Sequence, residues 1–183
     1  MFHRTSTRLA AVLLAATLPL AACVDESDTK VGETSEDLEE SVEAKENEKP
    51  SFNVEETDPK VTDKITGESV EDPAMELSYK WQGTSSSGNG SVVVVAVTNR
   101  SDAPMPVDAL TPALRYNTGD DDYTDATYIS DPEKADVDVV GIDRPLGPGA
   151  TTNAKFPFDV APGNLWDAEF TVGNVTFKGN LNN

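Results

Sequence analysis

Residues 166–177, WDAEFTVGNVTF, carry apolar side chains at every second position on both sides of Gly173-Asn174. Successive side chains on a strand point to opposite faces, so strict alternation is the mark of a half-buried β-strand. A two-residue link with glycine first suits a type II′ turn, whose hand matches the twist of paired strands. The register then pairs Val172 with Val175, Thr171 with Thr176 and Phe170 with Phe177. Trp166, Ala168, Phe170, Val172, Val175 and Phe177 share one face, and that face is predicted to be core.

The same pattern extends back to Pro73. Met75, Leu77, Tyr79 and Trp81 alternate with polar residues. GTSSSGNG, Gly83 to Gly90, reads as a flexible loop. SVVVVAVTN, Ser91 to Asn99, is apolar on both parities and predicts a central strand covered on both faces. Shorter strands are expected near Ala113–Tyr116, Ala126–Ile129 and Val137–Ile142. SDPEKA, Ser130 to Ala135, has a cap residue and a proline placed for one helical turn. Ala154, Phe156 and Phe158 alternate in a strand that Pro157 confines to an edge or a bulge. Short strands separated by turn formers, with no long helical period, predict an all-β sandwich or barrel over residues 73–183.

Upstream the composition changes. The formal net charge is −19, and residues 24–72 hold 18 acidic and 5 basic side chains. Only ten residues of this stretch are apolar, too few to offset the entropy of ordering it, so a disordered acidic tether is expected. The first residues differ again. Arg4 and Arg8 precede the apolar run Leu9–Ala22, fourteen residues long, which suits a signal-peptide core better than a membrane span. The run closes in LAAC, Leu20 to Cys23. This resembles the lipobox of bacterial lipoproteins, and the resemblance implies cleavage between Ala22 and Cys23 and a diacylglyceryl thioether on Cys23. Two acyl chains anchor stably where one is marginal. The expected organisation is therefore a signal peptide over 1–22, a lipidated Cys23 with its tether over 23–72, and the β domain over 73–183.

Within that domain, VVVVAVTNRSDAPMPV followed by LGPGATTNAKFPFDVAPG resembles the small immunoglobulin-like, telokin-like domains of secreted bacterial lipoproteins, those of actinobacteria in particular. The resemblance spans about Leu77 to Lys178. It implies an immunoglobulin-like antiparallel β-sandwich and brings no catalytic motif with it.

The chemistry open to the chain is narrow. An acidic protein does not read nucleic acid by neutralising phosphates. The one His (His3) lies in the leader and the one Cys (Cys23) is the lipidation site. Shedding the leader leaves neither an imidazole nor a free thiol for nucleophilic catalysis or zinc binding. Asp120, Asp121, Asp122 and Asp125 crowd one loop. Hard oxygen ligands of this kind suit calcium, although the order is not that of an EF-hand. The aromatic candidates for a glycan platform are Trp81, Trp166, Tyr116, Tyr123 and Tyr128; Tyr123 is the ring expected to be exposed, whereas Trp81 and Trp166 fall on apolar parities and are expected in the core. No cofactor is expected apart from that calcium. The resulting expectation is a non-enzymatic, lipid-anchored binding or assembly module on the extracytoplasmic face of the cell membrane, meeting an envelope or host protein. The alternative is a calcium- or glycan-binding module using loop 120–125.

Overall fold

A computed structural model describes residues 49–88, 90–120 and 122–183. Residues 1–48, on which the expected signal peptide, the Ala22–Cys23 cleavage site and most of the expected tether fall, lie outside the described residues. No helix among the described residues is long and apolar enough to cross a membrane.

Among the described residues, nine strands form two sheets: β1 (Lys60–Thr62), β2 (Ser69–Glu71), β3 (Leu77–Ser87), β4 (Gly90–Asn99), β5 (Pro112–Asn117), β6 (Tyr123–Asp125), β7 (Thr151–Phe158), β8 (Ala168–Val172) and β9 (Val175–Gly179). One sheet runs β1-β9-β8-β5-β6 and the other β2-β3-β4-β7. Every pairing is antiparallel except β1 with β9. The chain crosses between sheets after β1, β4, β6 and β7, which makes an all-β sandwich. A single helical turn, α1 (Pro132–Ala135), follows β6. The Asp131 side chain caps it by accepting from Glu133 N–H at 3.1 Å, as the SDPEKA pattern predicts.

The inner faces meet in an aromatic core. Leu77, Tyr79 and Trp81, Val93, Val95 and Val97, and Ala154, Phe156 and Phe158 are buried from one sheet. Leu114, Ala168, Phe170, Val172, Val175 and Phe177 are buried from the other. Phe170 sits at the centre, with ring centroids 6.2 Å from Trp81, 5.6 Å from Phe156 and 6.1 Å from Phe158. The β8–β9 register is the one read from the sequence, and Gly173 takes the positive φ of 53° that a type II′ turn needs.

Pro157 lies on an edge strand. The outer side of β7 is covered by a loop: Gly141 N–H donates to Lys155 O at 2.6 Å, and Ile129 N–H donates to Pro157 O at 2.9 Å. The missing proline N–H faces this side, where no strand needs it.

Five expectations are corrected. Gly83 to Gly90 is not a loop: β3 runs on to Ser87 and β4 begins at Gly90, with Gly83 to Ser87 paired to Val94 to Gly90. Residues 60–71 belong to the sandwich rather than to a tether ending at residue 72. β1 and β2 extend one edge of each sheet, Val70 is buried, and Phe52 and Ile65 pack against the core. Trp166 is 54 % exposed. A 3-10 turn at Pro162–Asn164 resets the parity, Leu165 takes the buried place, and pairing starts only at Ala168. Val137–Ile142 forms no strand, because left-handed Asp136 and Gly141 break the extension and leave one bridge to Lys155. β6 occupies 123–125, and the expected strand at 126–129 reduces to a bridge between Tyr128 and Phe158. β4 is central as expected, but Val94, Ala96 and Thr98 on its outer face are only half-buried.

β3 carries a bulge between Trp81 and Gly83. Gly83, at φ 120°, lets Asn183 approach, whose backbone O accepts from Thr84 N–H at 2.7 Å and whose side chain accepts from Trp81 Nε1 at 2.9 Å. A Cβ at residue 83 would lie 2.8 Å from that backbone oxygen.

Candidate functional site

The acidic run forms the turn of the β5–β6 hairpin. Gly119 and Asp120 have φ of 126° and 53°, which reverses the chain within five residues. Asp122 N–H donates to Gly119 O at 3.0 Å, and Thr118 donates to Asp122 O through its N–H at 2.8 Å and its hydroxyl at 3.0 Å. Those carbonyls, the natural partners of a hard cation, are thus already engaged. Asp120, Asp122 and Asp125 are exposed, and Asp121 lies outside the described residues. Among the described residues, no three carboxylate, imidazole or thiolate groups converge to hold a metal.

The outer face of the same sheet carries an ordered polar cluster. Pairing of β5 with β6 and β8, and of β8 with β9, brings Arg115 opposite Glu169, Glu169 opposite Lys178, and Asn117 opposite Tyr123. Glu169 joins the strands: it accepts from Arg115 Nε at 2.6 Å and pairs with Lys178 Nζ at 2.8 Å. The Tyr123 hydroxyl lies 2.9 Å from both Asp167 oxygens, and Asn117 Nδ2 reaches Asp167 at 2.7 Å. The Arg115 guanidinium and the Lys178 ammonium sit 5.3 and 5.6 Å from the Tyr123 ring centroid. Such cation–π contacts fix the ring.

The charges here are mutually compensated. Burial pushes the Glu169 carboxyl up, but hydrogen bonds from Lys178 and Arg115 outweigh it and hold the group below its ordinary range. The Asn117 and Tyr123 hydrogen bonds likewise lower Asp167. A glycosidase-type general acid needs a raised carboxyl, and both groups move the other way. The same direction holds for Asp72, Asp131 and Asp138.

A second polar cluster is buried at the opposite end of the β8–β9 hairpin. Asp72 accepts from Ala74 N–H and Met75 N–H, from the Tyr79 hydroxyl at 3.1 Å, and from Asn174 through its N–H and Nδ2, each at 2.9 Å. Burial raises its carboxyl. The bonds from Ala74, Asn174 and Met75 outweigh that and leave it lowered. Burial, and then the Asp72 charge, raise the Tyr79 phenol. Asn174 also holds the incoming chain: its Oδ1 accepts from Thr57 N–H at 2.8 Å, its Nδ2 donates to Glu55 O at 2.8 Å, and its backbone O accepts from Lys60 N–H at 2.8 Å.

Of the residues singled out in the sequence, Cys23 and Ala22 fall outside the described residues. Trp81 is buried, and Tyr116 and Tyr128 are half-buried against the core. Tyr123, the ring expected to be exposed, is half-buried on the sheet face, whereas Trp166, expected in the core, is exposed. Arg115, Asp167, Glu169 and Lys178 are not among the sequence candidates. The hairpin register read from the sequence does set Glu169 opposite Lys178, so that pair has a local signal. Comparison with protein-family models, with curated proteins and with solved structures found no match.

Proposed function

We propose that the chain is a non-enzymatic binding or assembly module, held by acyl chains on Cys23 at the extracytoplasmic face of the cell membrane, whose partner is an envelope or host protein. The observation that carries the anchoring is LAAC, Leu20 to Cys23, at the close of a fourteen-residue apolar run behind Arg4 and Arg8. The binding part rests on a sandwich whose exposed sheet face is charge-compensated and whose described carboxylates with shifted pKa are all lowered. That environment suits recognition better than proton transfer.

Cys23→Ala tests the anchor. The variant is expected to leave the membrane fraction; retention there overturns the lipid reading. Proximity labelling from the intact surface is expected to mark an envelope or host protein next to the domain. Turnover of a substrate that disappears on one substitution overturns the non-enzymatic reading.

A second reading, a glycan-binding module, is favoured by the exposure of Trp166, because an open indole ring is a stacking surface for sugars. Titration with cell-wall glycan is then expected to shift the Trp166 emission and to leave that of Trp166→Phe unchanged.

A further inference from the structure

The described surface has four exposed large hydrophobic side chains: Val54, Val61, Val107 and Trp166. Two of them border a pair of clefts at one end of the sandwich. The first cleft, about 320 Å³, has Phe156 and Ile142 beside Leu110 and Pro112, with Val107 on its rim. The second, also about 320 Å³, lies between Val54, Pro59, Met75 and Ala109. Asp108 and Thr111 belong to both, so the clefts share a wall. Val107 is 45 % exposed and Val54 53 %.

The charge around them has one sign. Asp108 borders both clefts and Glu56 borders the second; no Lys or Arg lines either. Neither carboxylate forms an ion pair among the described residues, whereas Glu71, Asp138 and Glu169 each find a cation. Pockets for whole small molecules run to about 300–1,000 Å³. Each cleft is at the lower limit of that range, with room for an aliphatic side chain.

We propose that the two clefts and Asp108 form one docking surface for a basic peptide segment. Aliphatic side chains of the segment enter the clefts, and a Lys or Arg between them pairs with Asp108 and Glu56. This rests on reading the chain as a binding module and names the partner's chemistry. The net charge of −19 assists by drawing a cationic segment in.

The test uses the full chain and a labelled peptide in which leucine and arginine alternate, followed by fluorescence anisotropy. A serine–arginine peptide of equal charge measures the non-specific background. The leucine peptide is expected to bind about tenfold tighter than the serine peptide, the scale of one or two partly buried aliphatic side chains. Val107→Ser and Val54→Ser, both at exposed positions, should each erase several-fold of that difference. Asp108→Lys should weaken binding about tenfold, and Glu133→Lys, the same change in net charge on α1, less than twofold. Equal affinity for the two peptides overturns the proposal, as does equal weakening by the two lysine variants. Tight binding of a leucine–glutamate peptide also overturns it, because the surface is then simply apolar. Self-association that Val107→Ser abolishes assigns the clefts to a second copy and overturns it too. Surface cross-linking separates this from the underlying reading. A partner captured equally by wild type and by the Val54→Ser/Val107→Ser double variant sinks the clefts alone. Capture by neither sinks the binding module itself.

Discussion

Asn174→Ala is the substitution that tests most directly how the N-terminal segment is fastened to the sandwich. It removes three side-chain hydrogen bonds: from Thr57 N–H, to Glu55 O and to the Asp72 carboxylate. The backbone bonds from Asn174 to Asp72 and from Lys60 to Asn174 survive. Asn174 is not among the residues with positive φ, so alanine fits the turn without strain. A neutral hydrogen bond contributes about 0.5–1.5 kcal/mol net and one to a charged group about 1.5–3 kcal/mol. Two of the first kind and one of the second come to about 4 kcal/mol, a large share of the roughly 5–15 kcal/mol that stabilises a domain. Part of that loss is local, because the Glu55–Lys60 segment can detach while the paired sheets persist. Urea denaturation and amide hydrogen exchange read the two parts separately. The expected result is a global loss of at least about 2 kcal/mol at unchanged m-value, with the Thr57 amide exchanging well before the core. A loss under about 1 kcal/mol with Thr57 still protected refutes the reasoning. Asn174→Asp gives an internal check. It sets a second carboxylate against Asp72, so its deficit should be larger at pH 7 than at pH 4, where protonation relieves the repulsion.

The native pKa of Asp72 is lowered from 3.8, so its contribution is full above the unfolded value and is lost as pH falls through the native one. The urea midpoint should therefore fall on acidification below about pH 4, and Asp72→Asn should flatten that dependence. Gly173→Ala should cost about 3 kcal/mol or more, read as a drop in Tm, since its Cβ would lie 2.2 Å from the Tyr79 hydroxyl. Gly83→Ala should cost about 1–3 kcal/mol and move the Trp81 emission, because the new Cβ displaces Asn183 from its bond to the indole. Millimolar calcium should leave Tm unchanged, since the turn carbonyls of Gly119 and Asp122 are already engaged. A clear rise would restore the acidic turn as a cation site.

The parts of the fold that the sequence discloses are those set by local pattern. Alternation about Gly173-Asn174 is enough for the hairpin, because turn type and side-chain parity together determine register. Pro157 marks an edge because its missing N–H is a local fact. Trp166 shows where such reasoning stops. It has the right parity for the core, but parity counts only while the chain stays extended, and the turn at Pro162–Asn164 breaks the count. Residues 60–71 show a second limit. They have too few apolar side chains to fold alone, and composition describes folding alone. What orders them is the open edge of β9, the buried place for Val70 and the polar grip of Asn174, all supplied from elsewhere in the chain.

The same distinction separates the two surfaces that matter for binding. Glu169 and Lys178 face each other across a hairpin, so half of the Tyr123 cluster follows from local register. Arg115 and Tyr123 join it through the β5–β8 and β5–β6 pairings, whose offsets no short motif encodes. The clefts beside Asp108 have no local signal at all. Their walls come from residues 54–59, 107–112 and 140–142 together with Met75, Tyr128, Phe156 and the Gly173-Asn174 turn, and none of the first three stretches is amphipathic at a regular period. Val54 and Val107 look alike in the sequence to the many valines that are buried. Only the fold shows that they stay in water next to carboxylates without a cation, and an apolar surface left open beside unpaired charge is a reason to look for a partner that supplies both.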